Sequence, residues 1–167
     1  MKYITSKSFS KNLNGFTMAE LLIGMGIFSI LIVVLSELFG GIMTMKLKGE
    51  SVSAVSADSR FIMTRLSYDV ARASSVVVPN STTLNLTIAG EPYSYSVSSN
   101  ILRLSYNGGS SEVLHSPSTR IANLSFTKLD DLDGKQSVRV DMDVESTILL
   151  SGGKVDTRNL ISTYATR

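Results

Sequence analysis

Glu20 is the residue of this chain whose type and setting most plainly demand chemistry. It follows Gly15-Phe16-Thr17-Met18-Ala19 and stands at the head of an apolar run, Leu21-Leu22-Ile23-Gly24-Met25-Gly26-Ile27-Phe28-Ser29-Ile30-Leu31-Ile32-Val33-Val34-Leu35. An ionised carboxylate at membrane depth is expensive, so it marks a functional residue with a partner to be named. A cut between Gly15 and Phe16 would create an α-amino group four residues before Glu20. That spacing puts amine and carboxylate on one helix face, where two such ends pair between neighbouring chains.

The other candidates carry less. Glu37 is a second acid near the far end of the apolar run, read as a residue at the outer interface or as a partner for Lys46 or Lys48 of another subunit. Gly40-Gly41 is a point where a helix could melt, or where two helices pack closely. Asp130-Asp131-Leu132-Asp133-Gly134 places carboxylates before a glycine, with Asp131 and Asp133 as calcium candidates. The loop pattern fails where Leu129 stands, so an Asp-Gly hairpin is the preferred reading and no metal is expected. His115 is the single histidine, in an apparent strand with no acid or nucleophile patterned around it. No phosphate loop, ligand cluster or nucleophile elbow appears, and with no cysteine, thiolate chemistry is excluded. The chain reads as a non-enzyme that needs no cofactor.

The stretch GFTMAELLIGMGIFSIL resembles the N-terminal signature of type IV prepilins and type II secretion pseudopilins. The resemblance implies a membrane peptidase that cuts after Gly15 and methylates Phe16 as the mature N-terminus. It also implies that Glu20 guides each subunit into a filament. A looser resemblance, to J-type minor pseudopilins and related minor pilins, rests on Arg65-Leu66-Ser67-Tyr68-Asp69-Val70-Ala71-Arg72-Ala73, on Ile121-Ala122-Asn123-Leu124-Ser125-Phe126 and on the Ser137-to-Glu145 strand. Two departures stand out: Glu37 occupies the place where major pilins usually carry proline, and the cysteine pair of many pilins is missing. An ordinary secretory signal would be cleaved after its apolar run at a small-residue site, and none is evident after Leu35.

Charge fits a targeting leader. Sixteen basic and fourteen acidic residues give +2. Without Lys2, Lys7 and Lys11 the balance is thirteen against fourteen, or −1. Net charge therefore makes no case for nucleic acid. The three lysines hold the N-terminus in the cytoplasm by the positive-inside rule, with the remainder outside.

The elements that must position these groups follow from periodicity. About 20 apolar residues span a bilayer, and Leu21 to about Ile42 suffices. Beyond it Val52, Val55, Ser59, Ile62, Leu66, Asp69 or Val70, and Ala73 recur at helical spacing. The helix is expected to run to about Ala73, with Val76-Val77-Val78-Pro79-Asn80 ending it. Period two then takes over at Leu84-Leu86-Ile88, at Tyr93-Tyr95-Val97, and at Leu102-Leu104-Tyr106 before an Asn107-Gly108 turn. A partner strand over Glu112 to His115 follows, then Leu124-Phe126. Val138, Val140, Met142 and Val144 alternate with Arg139, Asp141, Asp143 and Glu145. Arg158 to Tyr164 reads equally as strand or short helix. Val55, Ile62 and Leu66 are expected to bury against the Val138–Val144 face, because each surface is apolar on one side only.

The expected fold is α+β and pilin-like: one long N-terminal helix, half membrane-spanning and half amphipathic, packed on an antiparallel sheet head. The expected division is 1–15 leader, 16–45 membrane or filament-core helix, 46–75 amphipathic helix and 76–167 head. The resemblance implies a minor subunit of a type II secretion pseudopilus or type IV pilus, working in protein export. A DNA-uptake or adhesion pilus is the alternative within the class, and a membrane-anchored binding module the alternative outside it. Implied partners are the prepilin peptidase/methyltransferase, other pilins or pseudopilins, an inner-membrane assembly platform with its ATPase, and membrane lipid before assembly. The expected location is the cytoplasmic membrane, crossed once, and then the pilus or pseudopilus.

Overall fold

The computed structural model of the chain describes residues 15–132, 134–150 and 152–167, the side chains of 130–132 excepted. The chain falls into two compact units, Met1–Ile42 and Met43–Arg167. Helix α1, Met18–Arg72, runs through both.

In the first unit no described residue is buried. Leu22, Ile30 and Phe39 are 67%, 67% and 71% exposed. The helix is long and apolar enough to cross a membrane. Its two serines spare it polar cost: Ser29 Oγ donates to Met25 O and Ser36 Oγ to Ile32 O, both at 2.9 Å. Gly40 and Gly41 lie within the continuous helix. A Cβ at either would meet nothing within 4 Å, so packing inside this chain does not require glycine there.

The second unit begins with the remainder of α1. Its buried stripe is Ser51, Val55, Ser59, Ile62, Leu66, Asp69 and Val70. Ser51 takes the place expected of Val52, which is 46% exposed. Ser51 and Val52 stand four and three residues before Val55, so both keep helical spacing, and it is Ser51 that turns inward. Asp69 and Val70 are both buried.

Among the described residues, eight antiparallel strands follow. β1 (Ala73–Asn80), β2 (Thr83–Ile88), β3 (Glu91–Ser98), β4 (Ile101–Tyr106) and β5 (Ser111–Val113) form one meander. β6 (Thr119–Leu132), β7 (Lys135–Ser146) and β8 (Thr157–Ala165) form a second. The expected helix-on-antiparallel-sheet architecture is what the structure shows, with the sheet divided in two. Phe126 N donates to Ser81 O at 2.8 Å and Ile121 N to Asn100 O at 2.9 Å. The edge of β6 is thus satisfied by turns of the first sheet instead of a sixth ladder strand.

Two local readings are corrected, and one left open is resolved. The helix stops at Arg72, and the Val76–Asn80 segment belongs to β1. The β-branched valines pair there with β2, Val76 opposite Leu86 and Val77 opposite Asn85. Pro79 sits in the register shift between Val77 and Asn80, where an edge strand tolerates its missing N–H. The partner strand after Asn107-Gly108 is only Ser111–Val113, so His115 lies beyond it in a connection. The ambiguous C-terminal segment is strand β8.

Two turns show why local chemistry matters. Asn107 and Gly108 have φ of 50° and 67°, the left-handed pair of a two-residue hairpin turn. Ala89 and Gly90, between β2 and β3, have 53° and 86°, and alanine pays strain there that glycine does not.

The core is one cluster: Val55, Ile62, Leu66 and Val70 of α1, Val76, Leu84, Leu86, Tyr95 and Leu102 of the first sheet, and Ile121, Phe126, Val138, Val140, Met142 and Val144 of the second. The Val138–Val144 face and the helix stripe share it, as their patterns require.

Candidate functional site

Gly15, Phe16 and Thr17 precede the first helical turn and are exposed, Phe16 by 83%. The Gly15–Phe16 peptide bond therefore lies in non-helical chain, which a peptidase can take up in extended form without first unwinding a helix.

Thr17 and Glu20 close on each other. Glu20 N donates to Thr17 Oγ1 at 3.2 Å, while Thr17 N and Oγ1 approach Glu20 Oε2 at 3.4 and 3.5 Å. This is a capping box, in which the side chains at the N-cap and at the third helical position satisfy backbone donors at the helix start. The helix dipole also favours a negative charge in this first turn. The signal was in the sequence, as Thr-x-x-Glu ahead of an apolar run, and the reading of Glu20 as an assembly residue passed over it. The contacts are long and exposed, so a closer cation readily displaces them. The same geometry holds the carboxylate against Thr17, the residue that follows Phe16.

The remaining candidates disperse. Glu37 is exposed on α1. Asp133, and the side chain of Asp131, lie outside the described residues, so the calcium reading falls there too. The β6–β7 hairpin turns through Gly134 at φ 73°. No group of three or more metal-ligating side chains occurs among the described residues. His115 Nδ1 lies 3.0 Å from Ser116 O in its own connection and 3.4 Å from Thr119 Oγ1 at the start of β6.

Two carboxylates unremarked as sites anchor the second unit. Asp58 Oδ2 accepts from Ser116 N at 2.9 Å, Ser116 Oγ at 2.7 Å and Thr119 Oγ1 at 2.6 Å. It ties the connection between the sheets to the helix. Asp69, buried on the helix stripe, accepts from Tyr95 Oη and from Arg65 Nε, the latter at 2.9 Å. Burial first, then the bond to Asp69, pushes the Tyr95 phenol well above its ordinary 10.0. The bond to Asp69 raises the Arg65 guanidinium. Neither carboxylate was legible as a tether, because Tyr95, Ser116 and Thr119 lie 26 to 61 residues away from them in sequence.

No curated protein and no solved structure matches the chain. Residues 10–36 match the family model described as the prokaryotic N-terminal methylation motif, which takes in Gly15, Phe16, the capping box and the apolar run together and supports a type IV pilin-like family.

Proposed function

We propose that this chain is a minor pilin-like subunit. It is held in the cytoplasmic membrane by the apolar half of α1, cut after Gly15, methylated on the Phe16 nitrogen, and extracted into a filament of the type II secretion or type IV pilus kind. The observation that carries the reading is the methylation-motif match over residues 10–36, laid on a non-helical Gly15–Phe16 bond and a wholly exposed apolar helix. A buried Leu, Ile or Phe is worth ~1.5–3 kcal/mol, so a helix this apolar rests only in lipid or among its own kind.

Glu20 does the steering. In the single chain its carboxylate leans on Thr17. In a filament core, screened little by water, it exchanges those long contacts for the methylated Phe16 amine of a neighbouring subunit and sets axial register. Removing one partner of a buried pair costs ~3–5 kcal/mol, enough to decide where a subunit docks. The prepilin peptidase, the assembly platform and its ATPase, and other pilins are the partners this mechanism needs. Glu20→Ala tests it in a reconstituted assembly assay. The variant is expected to be cleaved normally and to enter filaments poorly; wild-type incorporation would sink the steering role.

A further inference from the structure

Among the described residues, a groove of about 370 Å³ in the second unit is lined by Thr44, Leu47 and Lys48 of α1 and by Leu150, Lys154, Val155 and Asp156 of the β7–β8 connection. The connection is held against itself, with Leu150 N donating to Lys154 O at 2.8 Å and Gly153 N to Leu150 O at 3.0 Å. Its neighbour Leu149 is 68% exposed. Lys48 and Lys154 are exposed, whereas Asp156 Oδ2 is buried with no hydrogen-bond partner among the described residues. A buried carboxylate oxygen without a donor is costly.

Position supplies the rest. Thr44 to Lys48 follow Ile42, near the end of the apolar run, by about 3–9 Å of helix at ~1.5 Å per residue. That is headgroup depth if the run spans a bilayer. Exposed leucine beside lysine is the composition that seats at such an interface, the apolar part down and the ammonium towards phosphate.

We propose that this groove holds the headgroup of an ethanolamine phospholipid of the outer leaflet. Lys48 and Lys154 take the phosphate. The primary ammonium supplies the donor that Asp156 Oδ2 lacks, and Leu47, Leu150 and Val155 face the glycerol end. The volume lies near the small end of ligand pockets, ~300–1,000 Å³, and admits a headgroup and not an acyl chain. Choline cannot serve, because its quaternary nitrogen has no N–H to give, and glycerol headgroups bring no cation. The inference rests on the membrane-anchored reading above.

The test uses the full chain reconstituted in vesicles of equal phosphatidylethanolamine, phosphatidylglycerol and phosphatidylcholine, then recovered in mild detergent for native mass spectrometry. Flotation of the chain with the vesicles checks the anchoring separately. Wild type is expected to retain phosphatidylethanolamine over phosphatidylcholine by about tenfold, the worth of one charge-assisted hydrogen bond. Excess inorganic phosphate should not displace it, as it would if a free anion were the ligand. Asp156→Asn, an isosteric change, is expected to erase the preference, and Lys48→Gln with Lys154→Gln to lower retention of every lipid. Vesicle-bound chain that retains the three lipids in mixing proportion, or an Asp156→Asn variant that keeps the preference, overturns the proposal. A chain that fails to float overturns the anchored reading and the lipid site with it.

Discussion

Deleting the helix from the second unit should unfold it, and the size of the effect follows from what the helix covers. A fragment beginning at Gly49 keeps the whole buried stripe, Ser51 to Val70. One beginning at Ala73 loses Val55, Ile62, Leu66 and Val70, all 3% exposed or less. The deleted residues no longer pay their own ordering cost, so their burial is not the relevant loss. The relevant loss is on the sheets, which must still be ordered but lose their cover. Val76, Leu84, Tyr95, Leu102, Val140 and Met142 are fully buried in the core they share with α1. If each forfeits half of the ~1.5–3 kcal/mol of a buried side chain, the sum is about 4–9 kcal/mol. Loss of Asp69 and Asp58 also strips acceptors from Tyr95, Ser116 and Thr119. Typical domains hold only ~5–15 kcal/mol in total. Thermal melts followed by circular dichroism should show a cooperative transition for the Gly49 fragment and none for the Ala73 fragment. A cooperative melt of the shorter fragment at a similar midpoint would refute the reasoning and make the helix a dispensable appendage.

Three smaller perturbations follow from the head's polar contacts and turns. Asp69→Ala should cost ~1–3 kcal/mol in denaturant unfolding, because it leaves the buried Tyr95 hydroxyl without its acceptor, and Asp69→Asn should cost less because an acceptor remains. The raised Tyr95 pKa predicts a loss of stability in alkali. Above the ordinary 10.0 the unfolded chain releases a proton that the folded chain keeps, so stability falls by up to ~1.4 kcal/mol per pH unit. Tyr95→Phe should flatten that slope in pH-dependent melts, and an unchanged slope would assign it to other groups. Ala89→Gly should stabilise by ~0.5–1 kcal/mol, relief of the left-handed strain outweighing the entropy that glycine adds to the unfolded chain; a lowered melting midpoint would contradict this.

The residues differ in how far they announce their places. Val138, Val140, Met142 and Val144 could be placed from alternation alone, because a half-buried strand repeats its environment every second residue. The apolar run was equally plain, since its length and composition are those of a helix able to cross a membrane. Ser51 was not, because a small hydroxyl carries no hydropathy signal and only the helix phase puts it inside. Asp58 and Asp69 read as surface acids until Ser116, Thr119 and Tyr95 come from distant strands to meet them. The helix ends within a residue of Ala73, as its periodicity indicates, but Pro79 is not the breaker, because Val76 and Val77 pair there as a strand. The division into two sheets depends on turn-to-strand bonds such as Ser81 to Phe126, which no pattern along the chain encodes. The Thr17–Glu20 capping box was legible and is the local half of the candidate site. In the function proposed above, its other half is a neighbour's amine.

The account stands most directly on the chemical state of the N-terminus. Mass spectrometry of the full protein purified from its host membranes reads it in one measurement. The expected species begins at Phe16 and carries one methyl group on its α-nitrogen. A chain that still begins at Met1, or one cut after Leu35, would contradict the filament-subunit reading and leave α1 as an ordinary anchor or signal.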